Sequence, residues 1–433
     1  MSGIIDYLLE IIDAHSDRIN EAINIQKRVW DGATGTAAGD ATDAGRGTAN
    51  TAAGATGTAV GDAVGGEPYV HPLLLTRGDN MFASAFGDYS RAGMDSPFHP
   101  LPAYNPKEIH YDSEKMFVSE LIGAARAAAG GMQAVPSVRA NMGCGIFPTL
   151  FGIEQDLFED KMPWVQKHLS KDAIMKMGPE DLVFSDEFKS GLEHMDYMAE
   201  KLKGSCCGLY PMDLQGPFDT AHLVYGDAIF YDLYDDPAFI RHLMELSCEA
   251  IFMGMEECVR HIPDAADGFR HYNNLFMPNG KGGIKISEDT STLLSEAHIR
   301  EFVAPYTSKV LERYNGGYIH YCGKNPHLFR AFMDLPLAYG INFGNPDMHN
   351  MAAVLKECAD RNKIYYGTIP RDGGETQVGY FKRTLADATY NGKTHLLLSY
   401  QTDGEGSENP EAIAEAWNMA YEAVTVMRNT HTC

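Results

Sequence analysis

Apolar positions along this chain follow two periods. Over residues 4–30, Ile4, Ile5, Leu8, Leu9, Ile11, Ile12, Ile19, Ile23 and Ile25 recur at helical spacing. The pattern breaks near His15–Ser16, where Ser16 or Asp17 can cap a second helix. Residues 31–67 then collapse to Gly, Ala, Thr and Asp, cannot bury a core, and predict a flexible linker. From residue 68 onward, short apolar runs alternate with longer amphipathic stretches. The runs are 69–75, 134–140, 207–214, 268–273, 317–322, 338–343, 363–369 and 395–400. Strand and helix alternating in this way predict an α/β fold with a parallel sheet. Eight such repeats in one core predict a (β/α)8 TIM barrel rather than an open doubly wound sheet. The expected organisation is thus an N-terminal helical segment (1–30), a Gly/Ala/Thr linker (31–67) and a barrel domain (68–433). No Gly-x-Gly-x-x-Gly turn follows the first run, which argues against a dinucleotide fold.

Composition narrows the partners. Asp and Glu number 59 against 35 Lys and Arg, a net charge of −24, with no basic run to attract nucleic acid or an anionic membrane. No apolar stretch reaches the roughly 18 residues of a membrane span. The N-terminus has none of the marks of a signal peptide. The eight cysteines show no disulfide framework. Together these features are read as a reduced, cytoplasmic protein.

In a (β/α)8 barrel the chemistry sits at the carboxyl ends of the strands. The run Gly317–Gly323 places His320 and Cys322 two residues apart, on one face of a strand, with Tyr321 on the other. An imidazole and a thiolate side by side are good zinc ligands, and a catalytic zinc needs about three protein ligands. Cys144, Glu288, Gln401 and Asp403 are candidates for the third. Gln401 is better cast as a donor to substrate. The other strand ends contribute Asp213, Gln215 and Asp219; His271, Asn273 and the loop residues Glu288 and Asp289; and Asn342 and Asn345. Most of the remaining cysteines fall in helices or at the opposite end of the barrel.

Several stretches together carry a resemblance. They are Phe-Gly-Ile-Glu (151–154), Met-Pro-Trp-Val (162–165), Asp-Leu-Gln-Gly-Pro-Phe-Asp (213–219), Ser-Glu-Asp-Thr-Ser-Thr-Leu-Leu-Ser (287–295), Glu-Phe-Val-Ala-Pro-Tyr (301–306) and His-Tyr-Cys-Gly (320–323). In this order the chain resembles the uroporphyrinogen decarboxylase superfamily, and in particular its corrinoid-dependent methyltransferase branch. The resemblance spans most of 68–433 and implies a (β/α)8 barrel. It also implies zinc on His320 and Cys322, since that branch binds zinc with a His-x-Cys pair and a later Cys. The later cysteine has no match, because the corresponding stretch reads Leu-Ser-Tyr-Gln-Thr-Asp (398–403). Cys144, Glu288 or Asp403 is then left to complete the site.

The activity expected from the resemblance is zinc-assisted transfer of a methyl group between a small methylated substrate and a corrinoid protein. The substrate would be a methoxylated aromatic, a methylamine or similar. The chain has no Asp-x-His-x-x-Gly cobalamin motif, so the corrinoid is expected on a separate protein. Asp213, Gln215, His271 and Asn273 are expected to orient substrate, and Asn345 and Gln401 to face the cofactor. Homo-oligomerisation is left open. The alternatives are a decarboxylase of the superfamily and a non-catalytic corrinoid- or tetrapyrrole-binding module. The decarboxylase's arginine-rich N-terminal motif is absent.

Overall fold

The computed structural model describes residues 2–34, 73–76, 101–130, 132–263, 268–271, 274–278, 283–390, 393–401 and 410–429. Two helices open the chain, α1 (Ser2–Asp13) and α2 (Ser16–Thr34), with the break where the periodicity lapses. Ile5, Leu8 and Ile12 of α1, and Ile19, Ala22, Ile25, Gln26, Val29 and Trp30 of α2, are buried, spaced three or four residues apart except for the adjacent pairs Ile25–Gln26 and Val29–Trp30. The linker expected at 31–67 begins inside α2, and residues 35–67 lie outside the described ones.

The main sheet is parallel and six-stranded. Its members, in chain order, are β1 (Leu73–Thr76), β4 (Ile284–Ser287), β5 (Gly317–Tyr321), β6 (Ala338–Phe343), β7 (Ile364–Gly367) and β8 (Leu396–Gln401). Across the sheet they run β1-β8-β7-β6-β5-β4. Two further short strands, β2 (Ser137–Val138) and β3 (Gly208–Leu209), pair in parallel with each other. The segment after β3 reaches β4 through a parallel bridge between Gln215 and Ser287. Among the described residues, no backbone pairing joins β1 to β2. The protein is therefore a mixed α/β molecule with a parallel sheet and many helices, and no described helix is long and apolar enough to cross a membrane.

One expected strand is corrected. The run 268–273 is not a member of the parallel sheet. Gly268–His271 pairs antiparallel with Leu275–Pro278 as a hairpin, and Ile284–Ser287 takes the fourth place. Asn274, with φ of 64°, turns the chain between the two arms, a conformation Asn tolerates better than most residues.

Parallel register places Tyr318, Gly340, Tyr366 and Leu397 on one face of the sheet. At the amino end of the strands this face is filled by Val29 and Trp30 of α2 and by Leu275 and Met277 of the hairpin, which cluster with Tyr318, Ile364, Tyr366 and Leu397. A methyl at Gly340 would stand 3.0 Å from the Trp30 ring, so glycine makes room for the indole. The Trp30 ring nitrogen donates to Phe276 O at 2.9 Å. The Gln26 amide donates to Gln133 O and Asn274 O and accepts from Phe276 N. The opposite face, with Ile319, Ile341, Phe343, Tyr365 and Leu398, joins the larger core under the helices. The amino end of the sheet is thus a packed floor whose polar side chains bond to main chain.

Candidate metal centre

His320 lies on the same face as Tyr318 but one step further along β5, in register with Ser287 of β4 and Asn342 of β6. The Asn342 amide nitrogen donates to Tyr366 O, which turns its oxygen toward His320. His320 Nδ1 therefore donates to Asn342 Oδ1, at 2.5 Å. That bond fixes the tautomer and leaves the Nε2 lone pair pointing away from the sheet. Facing it are Cys322 Sγ at 3.6 Å and Asp289 Oδ1 at 3.7 Å.

Cys322 follows the strand end and is exposed. Its backbone N–H donates to Asp289 Oδ1 at 2.6 Å, and the next N–H, on Gly323, donates to Asn345 Oδ1 at 2.8 Å. Gly323 has φ of 84°, so the tight turn needs glycine. His349 donates to Gly323 O and stacks on Phe343, which buttresses the turn. Across from the thiol, a side chain at Gly344 would meet Cys322 Sγ at 2.4 Å, so glycine keeps the sulfur's berth clear.

One ligand atom each from Asp289, His320 and Cys322 lies within 4.8 Å of the others. A tetrahedral zinc with bonds of about 2.1 Å to nitrogen and about 2.3 Å to sulfur would hold those two atoms about 3.6 Å apart. The nitrogen–sulfur separation fits, and the donor set of carboxylate, imidazole and thiolate suits zinc. Burial and the Lys285 charge push the His320 pKa down, which favours the neutral, ligating imidazole. The surrounding protein and the Asp289 carboxylate push the Cys322 thiol up to about 12. The same carboxylate that disfavours a bare thiolate becomes a co-ligand once a divalent cation sits between them.

Beneath this group, Asp213 accepts from Lys285 at 3.4 Å and lies 3.2 Å from Arg139. Burial opposes ionisation of Asp213, but Lys285 and Arg139 outweigh it and hold its carboxyl below the usual range. Arg139, Asp213, Lys285 and His271 line a cavity of about 30 Å³ with Tyr210 and Met255.

The remaining candidates are dispersed. Gln215 is buried and held in the bridge to Ser287. His271 sits at the floor, where its Nε2 donates to Gly283 O at 3.1 Å and burial pushes its pKa down to about 3. Cys144 stands outside the three-residue group, its thiol pushed up to about 12 by burial and by Asp213. Glu288 is fully buried, accepts from Ser291 and Thr307, and is pushed up to about 8 by burial. Asn345 holds the turn at Gly323. Asn273, Asp403 and the side chain of Gln401 lie outside the described residues. Asp289 and Asn342, ordinary loop and strand-end residues in the sequence, acquire their importance from register. The one sequence signal for Asn342 is that its strand follows directly after that of His320.

Comparison with known proteins gives a fold and no family. No family model matches the chain, and no curated protein does. Among solved structures, the chain is similar to a methyltransferase from Methanosarcina mazei, with a TM-score of 0.50 and 15% identity. The match covers 73% of this chain and 88% of the other, and at that identity it speaks to the fold alone.

Proposed function

We propose that this protein is an enzyme that transfers a methyl group between a small methylated substrate and a corrinoid carried by a separate protein, assisted by zinc on Asp289, His320 and Cys322. The observation that carries the reading is the meeting of those three side chains at the carboxyl end of a parallel sheet. The strand order, with each strand beside its predecessor from β2 round to β8 and β1 beside β8, supports a closed (β/α)8 barrel with this end as its mouth. Likeness to the fold of a methyltransferase is consistent with the activity.

A methyl group on oxygen, nitrogen or sulfur leaves poorly because the departing heteroatom takes up charge. Zinc in this position would act as a Lewis acid on that heteroatom. Asn342 keeps His320 in its ligating tautomer. Asp289 spans the pair by receiving the Cys322 N–H, so the turn carrying the thiol cannot drift from the carboxylate. Lys285, Arg139 and Asp213 form a fixed set of charges beneath the site against which a polar substrate can be oriented.

The reading is tested by metal analysis and by methyl transfer. The purified protein should hold near-stoichiometric zinc, lost when His320 and Cys322 are both replaced by Ala. Mixed with a reduced corrinoid protein and methoxylated aromatics or methylamines, it should produce the absorbance change of corrinoid methylation. Zinc retained by the double variant would remove the metal assignment. Absence of any spectral change across donors and partners would favour decarboxylation or a binding role.

A further inference from the structure

Two of the stretches that carry the family resemblance, 213–219 and 287–295, interlock through their carboxylates. Asp219, near the start of the helix Pro217–Tyr225, is 4% exposed, and Glu288, just after β4, is 0% exposed. Asp219 Oδ2 accepts from the backbone N–H of Asp289 at 2.7 Å, and its Oδ1 from that of Thr290 at 2.9 Å. These are N–H groups at the start of the short 3-10 turn Thr290–Leu293, which would otherwise lack partners. The exchange is returned. Glu288 in turn faces the first turn of the helix Pro217–Tyr225, where the backbone N–H groups of Phe218 and Asp219 favour its ionised form against the burial that opposes it. Ser291 and Thr307 hydroxyls complete its shell at 2.9 and 3.3 Å. Gly216 N donates to Ser287 O at 2.7 Å, and a side chain at Gly216 would meet Glu288 Oε1 at 2.3 Å. Glycine is what lets the glutamate reach the helix.

Asp289 sits between these two bonds and the metal group. Its backbone is held from behind by Asp219, and its carboxylate receives the Cys322 N–H in front. We infer that Asp219, seconded by Glu288, is a positioning residue that sets where the Asp289 carboxylate stands and thereby how tightly the group binds zinc. The inference rests on the zinc reading above. Without Asp219, two N–H groups beside the site lose their acceptor, and the loop must turn to find another. Asp289 would turn with it.

The experiment measures zinc affinity of the full chain by competition with a chromophoric chelator, together with the absorption spectrum of the Co2+-loaded protein. Asp219→Asn should weaken zinc about 10- to 100-fold, the range typical of groups that orient metal ligands. It should also shift the cobalt ligand-field bands while the thiolate-to-cobalt band persists. In an Asp289→Ala background the same change should cost nothing further, because its route to the metal has been removed. Glu288→Gln, which leaves Asp219 in place, should weaken zinc in the same direction by less. Wild-type affinity in folded Asp219→Asn overturns the inference, as does a full additional loss in the Asp289→Ala background. If Asp219→Asn does not fold, unchanged affinity in Glu288→Gln overturns it. No substrate or corrinoid enters these measurements, so wild-type protein that binds zinc but moves no methyl group would sink the proposed activity and leave the clamp standing.

Discussion

At the carboxyl end of the sheet, His320 gives one ring nitrogen to Asn342 and turns the other toward a thiol and a carboxylate. At the amino end, His271 is also buried in a polar setting, but its Nε2 is taken by the carbonyl of Gly283 and its ring lies edge-on to Tyr318. On the floor side of His271, Gln26 bonds to three backbone groups, Trp30 to Phe276 O, and Ser137 to His271 O. Around His320 the side chains converge on each other. The two ends teach that burial of a histidine says little by itself. What matters is whether other ligand side chains face the ring, as Cys322 and Asp289 do at His320. Main-chain partners close a floor, while side chains left facing one another across a few ångströms make a place for a cation.

The sharpest way to break this contrast is at the carboxyl end. Replacing both His320 and Cys322 by Ala should abolish zinc binding and lower methyl transfer by about 1,000-fold or more, since Lewis-acid assistance is worth several kcal/mol and each 1.4 kcal/mol is tenfold. Thermal unfolding of the metal-free double variant should change little, because Cys322 is exposed and His320 is only partly so. At the floor the signature should invert. Trp30→Ala removes a fully buried indole and should cost about 3–5 kcal/mol in denaturant unfolding, with zinc content unchanged. A loss of zinc there would mean that the two ends are coupled.

Smaller effects refine the picture. Asn342→Leu takes away the acceptor that fixes the His320 tautomer and should weaken zinc about 10- to 100-fold in chelator competition. Unaltered affinity would show that the ring is oriented by other means. The last test is pH. His271 stays neutral in the folded protein down to about 3, whereas the unfolded chain takes up the proton near 6.5. Between those values the unfolded state binds the extra proton, so stability falls as pH drops from 6.5 toward 3 and is regained as pH rises. His271→Gln should flatten the wild-type slope of stability against pH in that window. Equal slopes in the two proteins would show that His271 is not the buried neutral group described.

Strand periodicity alone paired His320 with Cys322, because residues two apart share a face in any strand. The helical spacing of Ile4 to Ile25 likewise gave two helices and the break between them. The fourth strand was misplaced for a plain reason. Gly268–Asn273 and Gly283–Ser287 are both short runs bounded by turns, and local pattern does not distinguish an arm of a hairpin from a member of a parallel sheet. Partner strands decide that, and they come from far along the chain. The third member of the metal group escaped for the same reason. Glu288 and Asp289 are adjacent acids in one loop, and they are told apart only by contacts with distant parts of the chain, such as the bond from the Asp289 N–H to Asp219, 70 residues away, and that from Thr307 to Glu288.

By itself the sequence determined what depends on neighbours along the chain: alternation of strands and helices, the His-x-Cys face, the acidic balance, and the absence of a nucleotide loop. Tertiary structure alone decided what depends on register across strands and on which loop caps which: the Asn342–His320 bond, the exchange between Asp219 and Glu288, the choice of Asp289, and the floor built by Trp30. Local conformation follows from sterics and side-chain spacing within a few residues. A site of convergent ligands follows from long-range pairing, whose geometry is fixed only when the whole core closes around it.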